Sequence, residues 1–133
     1  MTVDENLTMF TYVQQNKYIQ NAEGILKYIA EKTGMMFQLE NADHWMRCFA
    51  RGESSYIFNS RVWYDGEHFK YRCTKDEWDY SFSAEVDSQH YVIDDIKVKD
   101  IIERLNLDIK WYRNYLNEKR KENIKKAGAE YVV

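Results

Sequence analysis

A chain of 133 residues with 44% hydrophobic residues is the size of one domain and buries roughly two-thirds of its unfolded surface. It has no proline and only five scattered glycines, so no flexible linker divides it, and a single domain over 1–133 is expected. The start Met1-Thr2-Val3-Asp4-Glu5-Asn6 lacks the basic and apolar runs of a secretory signal, and no long apolar stretch follows, so a cytoplasmic location without a membrane partner is expected.

Cys48 and Cys73 then read as reduced thiols. The formal net charge of -3 is unevenly spread: residues 1–96 carry 9 basic and 16 acidic side chains, and residues 97–126 carry 10 basic and 5 acidic. A basic C-terminal segment on an acidic body suits nucleic acid or an acidic partner, although a basic solvated helix is the more common meaning of such a run.

Along the chain, Leu7 to Val13 fits helix or strand equally well. Tyr18, Ile19, Ala22, Ile25, Leu26, Ile29 and Ala30 recur at helical spacing and Gly34 follows as a C-terminal cap, which predicts a helix from about Lys17 to Thr33. Met35 to Glu40 and Trp45 to Ala50 read as strands joined by Asn41-Ala42-Asp43.

Asp65-Gly66, between Ser60 to Tyr64 and Glu67 to Cys73, is the residue pair of a two-residue type I′ hairpin. Such a loop pairs Tyr64 with Glu67, Val62 with Phe69, Ser60 with Tyr71 and Phe58 with Cys73. A four-residue turn over Thr74 to Glu77 would then pair Cys73 with Trp78, Tyr71 with Tyr80 and Phe69 with Phe82, keeping one face apolar across three strands.

The opposite face places Arg61 beside Lys70, Trp63 beside His68, Lys70 beside Ser81 and Arg72 beside Asp79, and is predicted to be wet and mostly basic. A cationic sheet with an aromatic ring can hold single-stranded nucleic acid. The simpler reading has Asp79 and Glu85 offset the cations while Trp63 packs under the N-terminal segment or a helix. Tyr91 to Ile93 is a further candidate strand, and from Val98 on, Ile101, Ile102, Leu105, Ile109, Tyr112 and Leu116 mark helical structure.

Catalytic and metal patterns are sparse. His44 with Cys48 and His68 with Cys73 are zinc-type residues, but residues five apart on a strand point to opposite faces, so packed thiols and surface histidines are expected, with no metal and no cofactor. Asp79 with Asp95-Ile96-Lys97 is a short nuclease-like pattern of two carboxylates and a lysine. Asp87-Ser88-Gln89-His90 reads as a polar turn rather than a triad, and no reaction class is expected.

The segment Asp100-Ile101-Ile102-Glu103-Arg104-Leu105-Asn106-Leu107-Asp108-Ile109-Lys110-Trp111-Tyr112-Arg113-Asn114-Tyr115-Leu116-Asn117 resembles the helix-turn-helix of bacterial repressors. In that resemblance Asn106 fills the turn, Leu107 the buried turn position and Asp108 the N-cap, while Tyr112 and Leu116 anchor the second helix. It implies that Lys110, Trp111, Arg113, Asn114 and Asn117 face the major groove of double-stranded DNA, and that Lys119, Arg120, Lys121, Lys125 and Lys126 meet phosphates. A homodimer is one assembly consistent with it. The competing reading is a continuous amphipathic helix from Val98 to about Lys126, because positions 98, 101, 105, 109, 112 and 116 form one stripe.

The expected architecture is therefore α+β: an N-terminal helix, a four- to five-stranded antiparallel meander and a helical C-terminus. The expected function is a small DNA-binding regulatory protein. The alternative is an interaction protein or inhibitor, of the kind phages and mobile elements encode, that binds a nucleic-acid-binding host protein through Asp76, Glu77, Asp79, Glu85, Asp87, Asp94 and Asp95. A helix broken at Asn106 to Asp108 favours the first, and an unbroken one favours the second.

Overall fold

The computed structural model describes residues 2–12, 19–40, 45–52, 57–76, 78–80 and 92–131. The architecture is α+β. Among the described residues, a 3₁₀ turn at Met9–Tyr12 precedes helix α1 (Ile19–Thr33), five strands follow as β1 (Met36–Glu40), β2 (Trp45–Arg51), β3 (Phe58–Tyr64), β4 (Phe69–Lys75) and β5 (Trp78–Tyr80), and helix α2 (Val98–Tyr131) comes last. The strands form one antiparallel meander in the order β1-β2-β3-β4-β5.

Helix α1 forms where the spacing predicts. Ala22, Ile25, Leu26, Ile29 and Ala30 lie on one buried face, and Glu23 and Lys27 pair across one turn on the wet side. Gly34 stops it by adopting φ +73°, a left-handed conformation that glycine enters without steric cost, while its N–H donates to the Ala30 carbonyl at 2.8 Å.

The core lies between the two helices and one sheet face. Phe58, Val62 and Tyr64 from β3 and Phe69, Tyr71 and Cys73 from β4 pack with α1 and with Val98, Ile101, Ile102 and Leu105 of α2. Cys73 is fully buried, as a core assignment requires. The N-terminal segment fastens the start of α2, since the orphan amides of Val98 and Lys99 donate to the carbonyls of Leu7 and Glu5, each at 2.9 Å.

The strand faces agree with the sequence expectation, but the registers differ by two residues. Tyr64 pairs with Phe69, Val62 with Tyr71, Ser60 with Cys73 and Phe58 with Lys75, in place of the pairs a two-residue loop would make. The physical reason is Asp65. A type I′ turn needs φ > 0 at both central residues, yet only Gly66 of the pair is left-handed, and the Asp65 carboxylate instead accepts the amides of Glu67 and His68 at 2.9 Å each.

The next connection shows the converse. Lys75 pairs with Trp78 across two residues, and Asp76 takes the left-handed backbone at φ 50°, where a four-residue turn was expected. Cys73 consequently meets Tyr80, and Thr74 rather than Arg72 meets Asp79, while Phe82 lies outside the described residues. Because side chains alternate with period two, a slip of two preserves every face. Of the segment Tyr91 to Ile93, Val92 forms a bridge to Lys70 and Ile93 donates to the Phe69 carbonyl.

The sheet face away from the helices is less wet than expected. Trp63 is buried beneath the Arg61 guanidinium, which lies 4.8 Å from its ring centroid, and Phe49 lies between Arg47 at 4.5 Å and Arg51 at 5.8 Å. Arg61 stands opposite Arg72 and Trp63 opposite Lys70. Lys70 is itself buried, its ammonium 2.7 Å from Asp65.

Phe69 is fully buried, so Phe69→Ala should cost about 3 to 5 kcal/mol in a denaturant melt, as large core truncations do. Asp65 supplies a pH test. Burial opposes its charge, but the Lys70 ammonium and the amides of His68 and Glu67 outweigh burial and hold its pKa below the ordinary carboxylate value. A depressed carboxylate contributes stability above its unfolded pKa and loses it as pH falls through the folded one. Asp65→Asn should be less stable than the parent at neutral pH, with the gap closing in acid; a gap that does not change with pH would contradict this.

Candidate nucleic-acid interface

Helix α2 runs unbroken from Val98 to Tyr131, 34 residues or about 51 Å at 1.5 Å per residue. The turn expected at Asn106 to Asp108 is absent. Leu107, assigned to a buried turn position, is half-exposed, and Asp108, assigned to an N-cap, lies mid-helix with its carboxylate fully buried.

The Asp108 carboxylate explains the continuity. It accepts hydrogen bonds from Ser60 Oγ on β3 at 3.0 Å and from the Tyr71 hydroxyl on β4, while Lys75 Nζ and Arg104 Nη2 approach its other oxygen at 3.1 and 3.2 Å. A carboxylate serving as an N-cap spends itself on backbone amides of its own helix. Here the sheet supplies hydroxyl and ammonium donors instead, so the helix continues and the side chain joins it to the strands.

Beyond Asp108 the helix leaves the core along a stack of aromatic rings. Phe58 lies 4.8 Å from Tyr112 at 11° and 6.2 Å from Trp111 at 29°, and Tyr115 lies 5.4 Å from Trp111 and 6.3 Å from Tyr112. Gly52 at the end of β2 makes room for this stack, because a Cβ there would lie 2.5 Å from the Tyr112 hydroxyl oxygen. Tyr112, Tyr115, Leu116, Lys119, Arg120 and Asn123, with Ile57 opposite, line a cleft of about 420 Å³.

The residues expected to touch DNA divide between two sides of this helix. Lys110, Arg113, Asn114, Asn117 and Lys121 are all exposed, and with Lys125 they recur at three-, four- and seven-residue spacing along one outward stripe. Glu118 interrupts that stripe, four residues after Asn114 and three before Lys121. Its ion pair with Lys121 at 3.5 Å, like that of Glu122 with Lys119 at 3.7 Å, is long and exposed and neutralises little. Trp111 is not on the stripe, being stacked on Phe58 and Tyr115 under Lys75, and Lys119 and Arg120 belong to the cleft. Every residue from Asn117 to Lys126 is exposed.

The described members of the acidic set do not gather. Asp94 is buried, accepting the Phe69 amide at 2.9 Å and holding His68 Nδ1 at 2.5 Å, so it is unavailable to a partner. Asp76 and Asp95 are exposed but lie beyond opposite ends of β4, and Glu77, Glu85, Asp87 and the side chain of Asp79 lie outside the described residues.

The nuclease-like residues are similarly apart. Asp79 pairs with Thr74, whereas Ile93, just before Asp94 and Asp95, bonds Phe69; five strand positions, about 16 Å, separate those points. Of the zinc-type residues, His68 is exposed against Asp94 and Cys73 is buried in the core, so the two diverge, while His44 and the Cys48 side chain lie outside the described residues. Among the described residues no helix is long and apolar enough to cross a membrane.

Of three features that the sequence reading missed, two left no local signal. Gly52 carries no turn signature beyond its identity, and the His68 and Asp94 pair spans 26 residues. Tyr115 had a usable signal: it follows Trp111 by four residues and Tyr112 by three, and precedes Lys119 by four. No family model matches this chain, and neither the curated proteins nor the solved structures contain a match.

Asp108 yields the local test. Replacing it by Ala removes the acceptor shared by Ser60, Tyr71, Lys75 and Arg104, and should cost about 3 to 5 kcal/mol, as breaking a buried charged cluster does. Asp108→Asn keeps an acceptor oxygen and should cost less. Urea melts of the two variants give the ordering, and equal losses would contradict it.

Proposed function

We propose that this protein binds DNA through the outward face of α2. The observation that carries the proposal is the exposed stripe of Lys110, Arg113, Asn114, Asn117, Lys121 and Lys125, with Glu118 as its one acidic neighbour, on a helix whose residues 117–126 are all exposed. A helix-turn-helix is not required for such a role, because continuous basic helices also enter the major groove directly.

The residue types suit the two kinds of contact DNA offers. Lysines neutralise phosphates and release counterions, whereas Arg and Asn present paired donors and acceptors that match guanine and adenine edges. Residues 110–126 hold seven basic and two acidic side chains, so the attraction is concentrated on the helix while residues 1–96 repel the duplex. That repulsion keeps the body away from DNA and leaves the helix as the contact. The protein then acts as a small DNA-binding regulator. The acidic-surface alternative is favoured by the unbroken α2 and keeps Asp76 and Asp95 exposed, but Asp94 is buried and does not belong to such a surface.

The test is a duplex titration by fluorescence anisotropy, begun at low salt because screening weakens long-range attraction. Replacing Lys110, Lys121 and Lys125 by Gln should weaken binding to all sequences alike and flatten the slope of log K against log salt by about three. Arg113→Ala should cost about 1 to 3 kcal/mol on a preferred site and much less on random DNA. Absence of duplex binding at micromolar protein and low salt would overturn the proposal.

A further inference from the structure

The inner side of α2 carries a second feature that duplex contact does not use. Phe58, Trp111, Tyr112 and Tyr115 form a ladder of nearly parallel rings, with interplanar angles of 11° to 29°, rising from the buried core to the cleft. Phe58 is 1% exposed at the bottom, and Tyr115 is only partly covered at the top. The next layer above Tyr115 is a cation rather than a ring, since Lys119 Nζ lies 5.6 Å from the Tyr115 centroid. Arg120 and Asn123 stand beside it on the next turn, and Ile57 closes the far wall.

We propose that this cleft binds a nucleobase bearing a phosphate. A planar base continues the stack once the exposed Lys119 side chain swings aside toward the phosphate, and the lower rings need no rearrangement because they are held in place by Phe58 and by the Gly52 backbone against Tyr112. Lys119 and Arg120 supply the charge for the phosphate, and Asn123 supplies a donor and an acceptor for the edge of the base. The volume of about 420 Å³ lies within the range of about 300 to 1,000 Å³ for clefts that take small molecules. The same chemistry is offered by a free mononucleotide and by the terminal nucleotide of a single strand.

The experiment is calorimetric titration of the full chain with AMP, adenosine, inorganic phosphate and a 5′-phosphorylated single-stranded oligonucleotide. AMP should bind more tightly than adenosine, and both more tightly than phosphate. Binding of AMP identifies the free nucleotide as sufficient, whereas binding of the oligonucleotide without AMP identifies the strand end.

Tyr115→Leu keeps an apolar side chain at this largely covered position, so it should retain the fold by circular dichroism while losing roughly five- to hundred-fold in affinity, the scale of one base–aromatic stack. Lys119→Gln with Arg120→Gln should bring AMP to the level of adenosine. Duplex binding by the outward stripe should persist in Tyr115→Leu, so this site and the DNA proposal can fail separately. Three results would overturn the inference: no heat with AMP or the oligonucleotide at millimolar concentration, phosphate binding as tightly as AMP, or Tyr115→Leu binding like the parent.

Discussion

The buried carboxylate of Asp108 sets the position of α2, and the arrangement of the surfaces on both sides of that helix follows from it. Burying an unpaired charge costs several kcal/mol, so the site is stable only because two hydroxyls and two cations converge there. Ser60 and Tyr71 come from adjacent strands, and their donors fix both the height of the helix along the sheet and its rotation. Once that rotation is set, Tyr112, one turn further on, lands on Phe58 and against Gly52. Lys110, Arg113, Asn114 and Asn117 are turned to solvent by the same geometry.

A helix held this way can extend beyond its support. Its first turn is satisfied by the Leu7 and Glu5 carbonyls and its middle by the core, whereas the end carries no apolar stripe of comparable strength. The last turn of α2 holds no basic side chain to complement the helix dipole, and the ion pairs of Lys119 and Lys121 with the neighbouring glutamates add only tenths of a kcal/mol each. The distal helix therefore depends on the packed half for its order, since an isolated segment of this length is marginal in water. Loss of Asp108 would act on the ligand surfaces through this dependence, although it touches neither.

What the sequence made legible was periodicity. The stripe of α1 and the alternation in β3 and β4 placed Ile25, Val62, Phe69 and Tyr71 in the core, because burial imposes those periods directly. Register was less legible, since it depends on whether Asp65 uses its backbone for a turn or its carboxylate as an acceptor, and both uses suit the same residue. The segment at Asn106 to Asp108 shows the same ambiguity at higher stakes. An aspartate after Asn-Leu is a fair N-cap, but the donors that decide its role come from Ser60 and Tyr71, 48 and 37 residues away. Local sequence carries no trace of such partners. The aromatic ladder was half legible: Trp111, Tyr112 and Tyr115 are spaced for contact, while Phe58 and Gly52 enter only through the sheet.

The unbroken helix also constrains how its two sides can influence one another. A hinge at Asn106 to Asp108 would let a ligand in the cleft swing the outward stripe, but the backbone there is helical and anchored by a buried cluster. What crosses a rigid helix is charge. An α-helix with its side chains is about 10 to 12 Å across, close to the screening length of about 8 to 10 Å at moderate salt. A phosphate on Lys119 and Arg120 would therefore lower the positive potential felt at Arg113 and Lys121 without moving either. Coupling of this kind weakens as salt rises and disappears when the phosphate is removed from the ligand, whereas coupling through motion would do neither.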